Sequence, residues 1–107
     1  LGILITPRAS NPSDIGQALD NGLDVVKFFP AEPSGGLNMI KALAAPYTSV
    51  KFIPPGGINA TNVRDYLAYG RILACGGSWM VKDSLINEGN FEEIARLTAE
   101  AVTLVSR

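Results

Sequence analysis

The sequence contains no histidine and only one cysteine, Cys75. The absence of histidine excludes Ser-His and Cys-His catalysis and metal sites built on histidine. Any proton transfer must therefore use Lys, Asp, Glu, Tyr, Cys or water. A single cysteine forms no disulfide within the chain, so the expected location is the reducing cytoplasm.

The sequence also lacks an excess of charge of one sign and long apolar runs. Nine Lys and Arg residues oppose ten Asp and Glu residues, and the net charge of −1 predicts no nucleic-acid partner. No apolar run is long enough to span a bilayer, and the start of the sequence lacks the basic region of a signal peptide. The 107 residues suffice for one small domain, so residues 1–107 are expected to form a single unit.

Four short runs have the composition of β-strands. They lie at residues 2–6, 24–29, 49–53 and 72–75. All four are apolar without strict alternation, which is typical of parallel strands that are covered on both faces.

Helix signals fall between these runs and after the last one. Asn11 is placed to cap a helix that begins at Pro12 and stops near Gly22. Asn90 followed by Glu93 has the spacing of a capping box. The predicted helices follow Asn11, span roughly 36–45, run from Asn59 or Thr61 to Gly70, and follow Asn90, the last with Phe91, Ile94, Ala95, Thr98 and Val102 facing inward.

This alternation predicts an α/β fold of four consecutive βα units with a parallel sheet. A repeat of roughly 25 residues is that of a TIM (βα)8 barrel, but a closed barrel needs eight units. Two architectures stay open at this point: an open four-stranded sheet and one half of a barrel. A half barrel would expose an apolar inner face and two strand edges, so we would expect it to associate with a partner.

Two lysines occupy similar places in two of the strand runs. Lys27 lies in VVKFFPAE, residues 25–32, and Lys51 lies in SVKFIPPGG, residues 49–57. A lysine buried in an apolar strand loses hydration, its pKa falls, and its neutral amine can form a Schiff base with a carbonyl substrate. The alternative is a lysine that extends to solvent. The pattern leaves both open for Lys27 and favours solvent for Lys51.

Glycine pairs follow the last two strand runs, in PPGGIN at residues 54–59 and CGGSW at residues 75–79. Successive glycines allow backbone N–H groups to approach an anion, and barrels often bind phosphate at this position. The alternative is two ordinary tight turns. Glu32 and Arg8 could act as a base and an anion contact, although solvated surface charges are the simpler interpretation.

Together, VVKFFPAE, PPGGIN followed by NVRDYLA, and CGGSWMV resemble the C-terminal half of the 2-keto-3-deoxy-6-phosphogluconate (KDPG) aldolase family over nearly the whole chain. The resemblance implies a (βα)8 barrel and a trimer. It also implies a class I lyase that uses no metal or other cofactor and cleaves KDPG, a keto-acid phosphate, to pyruvate and glyceraldehyde 3-phosphate. Many members of the family also act on 4-hydroxy-2-oxoglutarate.

The resemblance also assigns roles to individual residues. Lys27 takes the place of the Schiff-base lysine, and Phe29 that of an aromatic ring against the pyruvyl group. The phosphate loops fall on Gly56, Gly57, Gly77 and Ser78.

Two residues depart from the family pattern. Pro55 stands at the substrate site, where the family usually has threonine, and Arg8 stands where it usually has glycine. The glutamate that moves protons in the family belongs to the second strand of the full barrel, and the resemblance implies that this chain begins at the fifth. We therefore expect little or no turnover from this chain alone.

Three alternatives stay open beside this aldolase. One is another phosphate-binding barrel enzyme that does not need Lys27, and a second is an aldolase for the galactonate epimer. The third is a half barrel without activity that only binds anions or self-associates.

Overall fold

The computed structural model describes residues 2–106 as a small α/β fold. Its elements, in chain order, are α1 (Pro12–Asp20), β1 (Val25–Lys27), α2 (Gly36–Ala44), β2 (Lys51–Ile53), α3 (Val63–Ala68), α4 (Asp83–Asn87) and α5 (Phe91–Val105). A 3-10 turn at Trp79–Val81 precedes α4. Sequence analysis predicted neither this turn nor α4.

The two strands form a parallel pair in which Val26 lies opposite Phe52. Isolated parallel bridges add a neighbour on each side, Arg8 beside Lys27 and Ile72 beside Phe52. The four extended segments therefore lie side by side in sequence order, as expected for consecutive βα units.

The strand predicted at residues 2–6 does not form as a regular strand, and pairing begins later. Ala9 N–H donates to the Lys27 carbonyl at 2.9 Å, and Lys27 N–H donates to the Pro7 carbonyl at 2.8 Å. The next donor towards the N-terminus in this parallel ladder would be the N–H of Pro7, which proline lacks. The ladder stops there, and residues 2–6 extend beyond it.

The strand predicted at residues 72–75 is interrupted for the same reason. Phe52 N–H donates to the Arg71 carbonyl at 2.8 Å, and Leu73 N–H donates to the Phe52 carbonyl at 3.0 Å. The next donor in this ladder would be the N–H of Pro54, which proline lacks. Pairing resumes one residue out of step, where Gly76 N–H donates to the Pro54 carbonyl at 3.3 Å. The other two predicted strands form but are shorter than expected.

The helix caps agree with the sequence in part. Asn11 accepts a hydrogen bond from Asp14 N–H at 2.9 Å and begins α1, as predicted. Asn90 accepts from Glu93 N–H at 3.3 Å. The Glu93 carboxylate, however, accepts from Arg96 at 2.8 Å instead of returning to Asn90, so only half of the capping box forms.

The predicted inner face of α5 is confirmed only in part, because Ile94 is half-buried but Phe91, Ala95, Thr98 and Val102 are exposed. Phe91 and Val102 are 65% and 59% exposed, and Ala101 is the buried residue of this helix. The main contacts of α5 are with α3, α4 and the 3-10 turn. Packing at this edge covers only a narrow line of the helix, and a wide apolar stripe remains in solvent.

The core lies on one face of the sheet, beneath the helices. Val26, Phe28 and Phe52 are fully buried there, whereas Lys27 and Lys51 are exposed on the opposite face. Within residues 2–106, none of the helices has the length and apolar character needed to cross a bilayer. The sheet is thus covered on one side, and the open side carries Lys27.

Candidate functional site

Lys27 is the last residue of β1 and lies on the open face of the sheet. Its amine Nζ is 5.4 Å from the centroid of the Phe29 ring. The side chain is exposed, so the burial considered for this lysine is absent in this chain. Strand alternation explains the position, because Val26 and Phe28 point into the core and the residues between and after them do not.

Arg8 lies on the same ring. Its guanidinium carbon is 5.5 Å from the Phe29 centroid, and its Nε donates to the Phe29 carbonyl at 3.1 Å. Two cations therefore flank one aromatic ring, an arrangement that attraction to the ring face favours. Arg8 belongs to the site rather than to a remote surface.

The segment after Phe29 is joined to the first glycine loop. The Phe29–Pro30 peptide bond is cis. Ala31 N–H donates to the Pro55 carbonyl at 2.8 Å, and Glu32 N–H donates to the Gly56 carbonyl at 3.0 Å. These bonds continue the pairing of β1 with β2 beyond the strands and hold the two loops together.

A pocket of about 330 Å³ opens where the two glycine loops meet Phe29. Six of the seven residues predicted for the site line it, and Lys27 lies next to it, beside Phe29. The lining residues are Phe29, Pro55, Gly56, Gly57, Ile58, Gly76, Gly77 and Ser78. The structure thus brings together residues that lie up to 51 positions apart in the sequence (Lys27 and Ser78).

Both loops need glycine for steric reasons. Gly57 has a φ of +81°, and a Cβ there would lie 2.6 Å from the Glu32 Cβ. A Cβ on Gly77 would lie 2.2 Å from the Trp79 ring. The N–H groups of Gly57, Gly77 and Ser78 donate to no acceptor among residues 2–106. Backbone donors of this kind are what an anion binds in glycine-rich loops.

Pro55 connects the two glycine loops. Its carbonyl accepts from Ala31 N–H, and its Cβ lies 3.0 Å from the position that a Cβ on Gly76 would occupy. Proline supplies neither an N–H nor a hydroxyl to the pocket. Pro55 therefore shapes the wall of the pocket without offering a donor.

The other candidate residues lie apart from this pocket. Lys51 lies opposite Val25 at the start of β2, at the far end of the strand from the glycine loops. Burial raises the pKa of the Cys75 thiol to about 11, which keeps it protonated and unreactive at neutral pH. In the described part of the chain, no three His, Cys, Asp or Glu side chains are grouped to hold a metal ion.

The support of the first glycine loop by Asn62 was not predicted from the sequence, and Glu32 was named there only as a candidate base. Asn62 Nδ2 donates to Glu32 Oε1 at 2.8 Å and to the Gly57 carbonyl at 2.9 Å. The signal in the sequence is slight, namely a second asparagine three residues after Asn59, just before α3. The partner Glu32 lies 30 residues away, and local patterns give no information at that distance.

Comparison with known proteins gives a consistent result. The family model described as KDPG and KHG aldolase matches residues 1–97. The 2-dehydro-3-deoxy-phosphogluconate aldolase of Haemophilus influenzae is 50% identical over 105 residues, which are 98% of this chain and 50% of that protein. The KHG/KDPG aldolase of Escherichia coli is 42% identical over 100 residues, which are 94% of this chain and 47% of that protein.

Solved structures agree with these relatives. KDPG aldolase from Legionella pneumophila, captured with pyruvate as a covalent carbinolamine intermediate, has a TM-score of 0.84 and 36% identity over 91% of this chain and 47% of its own. The Zymomonas mobilis enzyme with 3-phosphoglycerate has a TM-score of 0.70 and 38% identity over 86% of this chain and 46% of its own. The chain spans about half the length of the proteins that it matches.

Proposed function

The chain belongs to the KDPG and KHG aldolase family, and from this premise we propose that it is the C-terminal half of a class I aldolase barrel. Four parallel extended segments in sequence order, covered by helices on one side only, support the half-barrel architecture. The match to about half of each relative supports it as well. The open face of the sheet then corresponds to the barrel interior, which side chains of the other half would fill.

The proposed reaction cleaves KDPG to pyruvate and glyceraldehyde 3-phosphate through Lys27. The amine adds to the ketone carbon, and loss of water gives an imine. The bond that breaks joins the carbon next to the imine carbon to the hydroxyl-bearing carbon beyond it. Its electrons pass to the protonated imine and form an enamine, while the hydroxyl of the departing aldehyde gives its proton to water. Protonation of the enamine and hydrolysis of the imine then release pyruvate and the free lysine.

The glycine loops supply phosphate binding in this proposal. Gly57, Gly77 and Ser78 offer N–H groups at a pocket lined by Phe29, and the Lys27 amine lies 5.4 Å from the centroid of that ring. Binding energy at the remote phosphate would fix the reacting carbon at the amine. Phe29 and Pro55 line the wall of this pocket. A cytoplasmic location, as expected from the single cysteine, and the trimer that the resemblance implies belong to the same proposal.

The observation that carries the proposal is the convergence of one strand-end lysine, one aromatic ring and two glycine loops around a single pocket. The name of the Legionella pneumophila relative adds that a pyruvate carbinolamine forms in that protein. A carbinolamine requires a nucleophilic amine, which Lys27 offers here.

One observation favours a second candidate, a half barrel that binds anions without turnover. Among residues 2–106, the ion pairs with N–O distances of at most 4.0 Å join Arg96 to Glu93 and Glu100. The Lys27 amine therefore has no carboxylate of the described residues within that distance. The resemblance assigns the proton-transferring glutamate to the other half. Turnover of KDPG by this chain alone is therefore expected to be low even if the imine forms.

The test is imine trapping. The folded chain is incubated with pyruvate and borohydride, which reduces an imine to a stable amine, and peptide mass spectrometry locates the adduct. The expected result is an adduct on Lys27 that is absent in Lys27→Met. Lys51→Met is the matched control and should keep the adduct, because Lys51 lies at the other end of the sheet.

An adduct on Lys51 would contradict the assignment of the nucleophile. Absence of any adduct, in a sample shown to be folded by circular dichroism, would overturn imine chemistry for this chain. That outcome would leave anion binding as its function.

A further inference from the structure

Asn62 forms the centre of a hydrogen-bond network behind the first glycine loop. Its amide donates one N–H to Glu32 Oε1 at 2.8 Å and the other to the Gly57 carbonyl at 2.9 Å. Its Oδ1 accepts from Asn59 N–H at 2.8 Å. Both donors and an acceptor of a single amide group are thus used, which fixes the orientation of the side chain.

Asn59 makes the turn that places Asn62. The Asn59 Oδ1 accepts from the N–H groups of Thr61 at 2.9 Å and Asn62 at 3.1 Å, and from the Thr61 hydroxyl. Side-chain bonds of this kind stabilise a tight turn ahead of a helix. The turn brings Asn62 back to the carbonyl of Gly57, five residues earlier in the chain.

The glycine loop is therefore held from two sides. Glu32 N–H donates to the Gly56 carbonyl on one side, and Asn62 donates to the Gly57 carbonyl on the other. The Glu32 side chain closes the arrangement, because its carboxylate accepts the second N–H of Asn62. Each of these two carbonyls shares a planar peptide unit with the N–H of the next residue. The two hydrogen bonds therefore fix the N–H groups of Gly57 and Ile58 as well.

We propose that Asn62 and Glu32 are positioning residues that orient the Gly56–Gly57 loop for anion binding. The proposal rests on the anion-binding role proposed for that loop. Neither side chain lines the pocket formed by the glycine loops; both line a neighbouring cavity with Tyr66 and Gly36. They act on a ligand only through the loop, by holding its backbone donors in place before the ligand arrives.

The chemistry of the network explains why asparagine is needed. Aspartate has the same shape but places an oxygen where the Gly57 carbonyl and the Glu32 carboxylate both need a donor, and it adds a second negative charge beside Glu32. Glutamine at position 32 keeps an oxygen that can accept from Asn62. Asn62→Asp should therefore disrupt the loop, and Glu32→Gln should preserve it.

The experiment measures the affinity of the chain for inorganic phosphate by NMR titration. Asn62→Asp is expected to weaken binding about tenfold, and Asn62→Ala, which loses the donors without adding charge, to weaken it severalfold. Glu32→Ala, which removes the acceptor of the Asn62 amide, is expected to weaken binding severalfold, and the conservative Glu32→Gln, which keeps an accepting oxygen, to restore it to within about twofold of the unsubstituted chain. Asn87→Asp on α4 is the matched control for added charge and should also leave the affinity unchanged.

Imine trapping on Lys27 separates positioning from general damage. A substitution that only unfolds the chain lowers both phosphate affinity and trapping by pyruvate, whereas loss of loop orientation lowers phosphate affinity alone. Unchanged phosphate affinity in Asn62→Asp and Asn62→Ala would overturn the proposal, as would a chain without substitutions that binds no phosphate. If the unsubstituted chain traps no pyruvate, circular dichroism replaces trapping as the test of folding: weakened phosphate binding in Asn62→Asp with an unchanged spectrum would support the positioning role and contradict the imine chemistry.

Discussion

At the scale of single residues, Tyr66 carries a buried hydroxyl close to the Glu32 carboxylate of the network behind the glycine loop. Its side chain is 2% exposed, and its hydroxyl has no hydrogen-bond partner within residues 2–106. Burial, followed by the nearby charge of Glu32, raises the pKa of Tyr66 to about 12, from an ordinary value of 10.0. The folded chain therefore holds this proton more tightly than the unfolded chain does.

This pKa predicts a loss of stability in alkali. Between pH 10 and about 12 the unfolded state loses the tyrosine proton and the folded state keeps it, so the free energy of unfolding falls as pH rises. Tyr66→Phe removes this contribution and should retain more of its stability at pH 11 than the unsubstituted chain. At pH 7 the change should stay within about 1 kcal/mol, because the hydroxyl makes no hydrogen bond of ordinary geometry and only its contact with the Glu32 carboxylate is lost.

Urea unfolding at pH 7 and pH 11 measures this difference. Tyr69→Phe is the matched control and should keep the alkaline loss. Cys75 titrates in the same direction, with a pKa raised by burial to about 11, so part of the pH dependence should survive in Tyr66→Phe. Equal losses in the unsubstituted chain and in Tyr66→Phe would contradict the assignment to Tyr66.

At the scale of secondary-structure elements, helices were easier to predict than strands. The α1 cap at Asn11 and the start of α5 after Asn90 depend on groups within three residues of each other. Strand length depends instead on the donors of a distant partner. Pro7 and Pro54 end the two outer ladders, because each lacks the N–H that would donate the next hydrogen bond to the adjacent strand. Which residue must donate depends on the strand register, and the local sequence does not show the register.

For the candidate site too, residues with a local sequence signal were predictable and residues that act through long-range contacts were not. The glycine pairs and Ser78 follow strand ends and form short motifs that indicate an anion site, whereas Phe29 and Pro55 were assigned to the site only through the family resemblance. The sequence pattern favours a surface charge for Arg8, because its contact with Phe29 spans 21 residues and leaves no local signal. The bond between Asn62 and Glu32 spans 30. Side chains that support the site through such long-range contacts give no recognisable motif in the sequence around either partner.

Arg71 joins two elements that the sequence separates. Its guanidinium donates to the Val50 carbonyl at 2.7 Å, to the Ala44 carbonyl at 3.4 Å and to the Tyr47 carbonyl. Ala44 ends α2, and Val50 directly precedes β2. One planar group thus satisfies carbonyls along the whole connection between a helix and a strand.

Arg71→Lys should therefore destabilise the fold although the charge is kept. A lysine amine cannot reach three carbonyls in this fork, and the partly buried carbonyls that lose their donor are expected to cost about 1–3 kcal/mol. Arg64→Lys on the exposed side of α3 is the matched control, expected to change stability by less than about 0.5 kcal/mol. Urea unfolding at pH 7 compares the two, and similar stabilities would contradict the role given to Arg71.

At the scale of the whole molecule, the chain is more extended than a compact domain of its length. Its radius of gyration is 15.4 Å, against about 13 Å for a compact chain of this size. The helices cover one side of the sheet, and the other side and the N-terminal run remain in solvent. Ile3, Leu4 and Ile5 are 73%, 83% and 59% exposed. Consecutive apolar residues at this exposure are typical of a surface that another chain or segment covers.

The last prediction follows from this exposure. In solution the chain should self-associate, because two copies that meet at the N-terminal run bury apolar surface and strand edges that a single copy leaves in water. Replacing Ile3, Leu4 and Ile5 with serine should shift the mass measured by light scattering towards that of a monomer. Phe91→Ser removes an exposed apolar residue from α5 instead and should leave the mass unchanged. A chain that is monomeric without any substitution would contradict this prediction and would show that the open face of the proposed half barrel is stable in water. Loss of association in Phe91→Ser would instead place the contact between copies on α5.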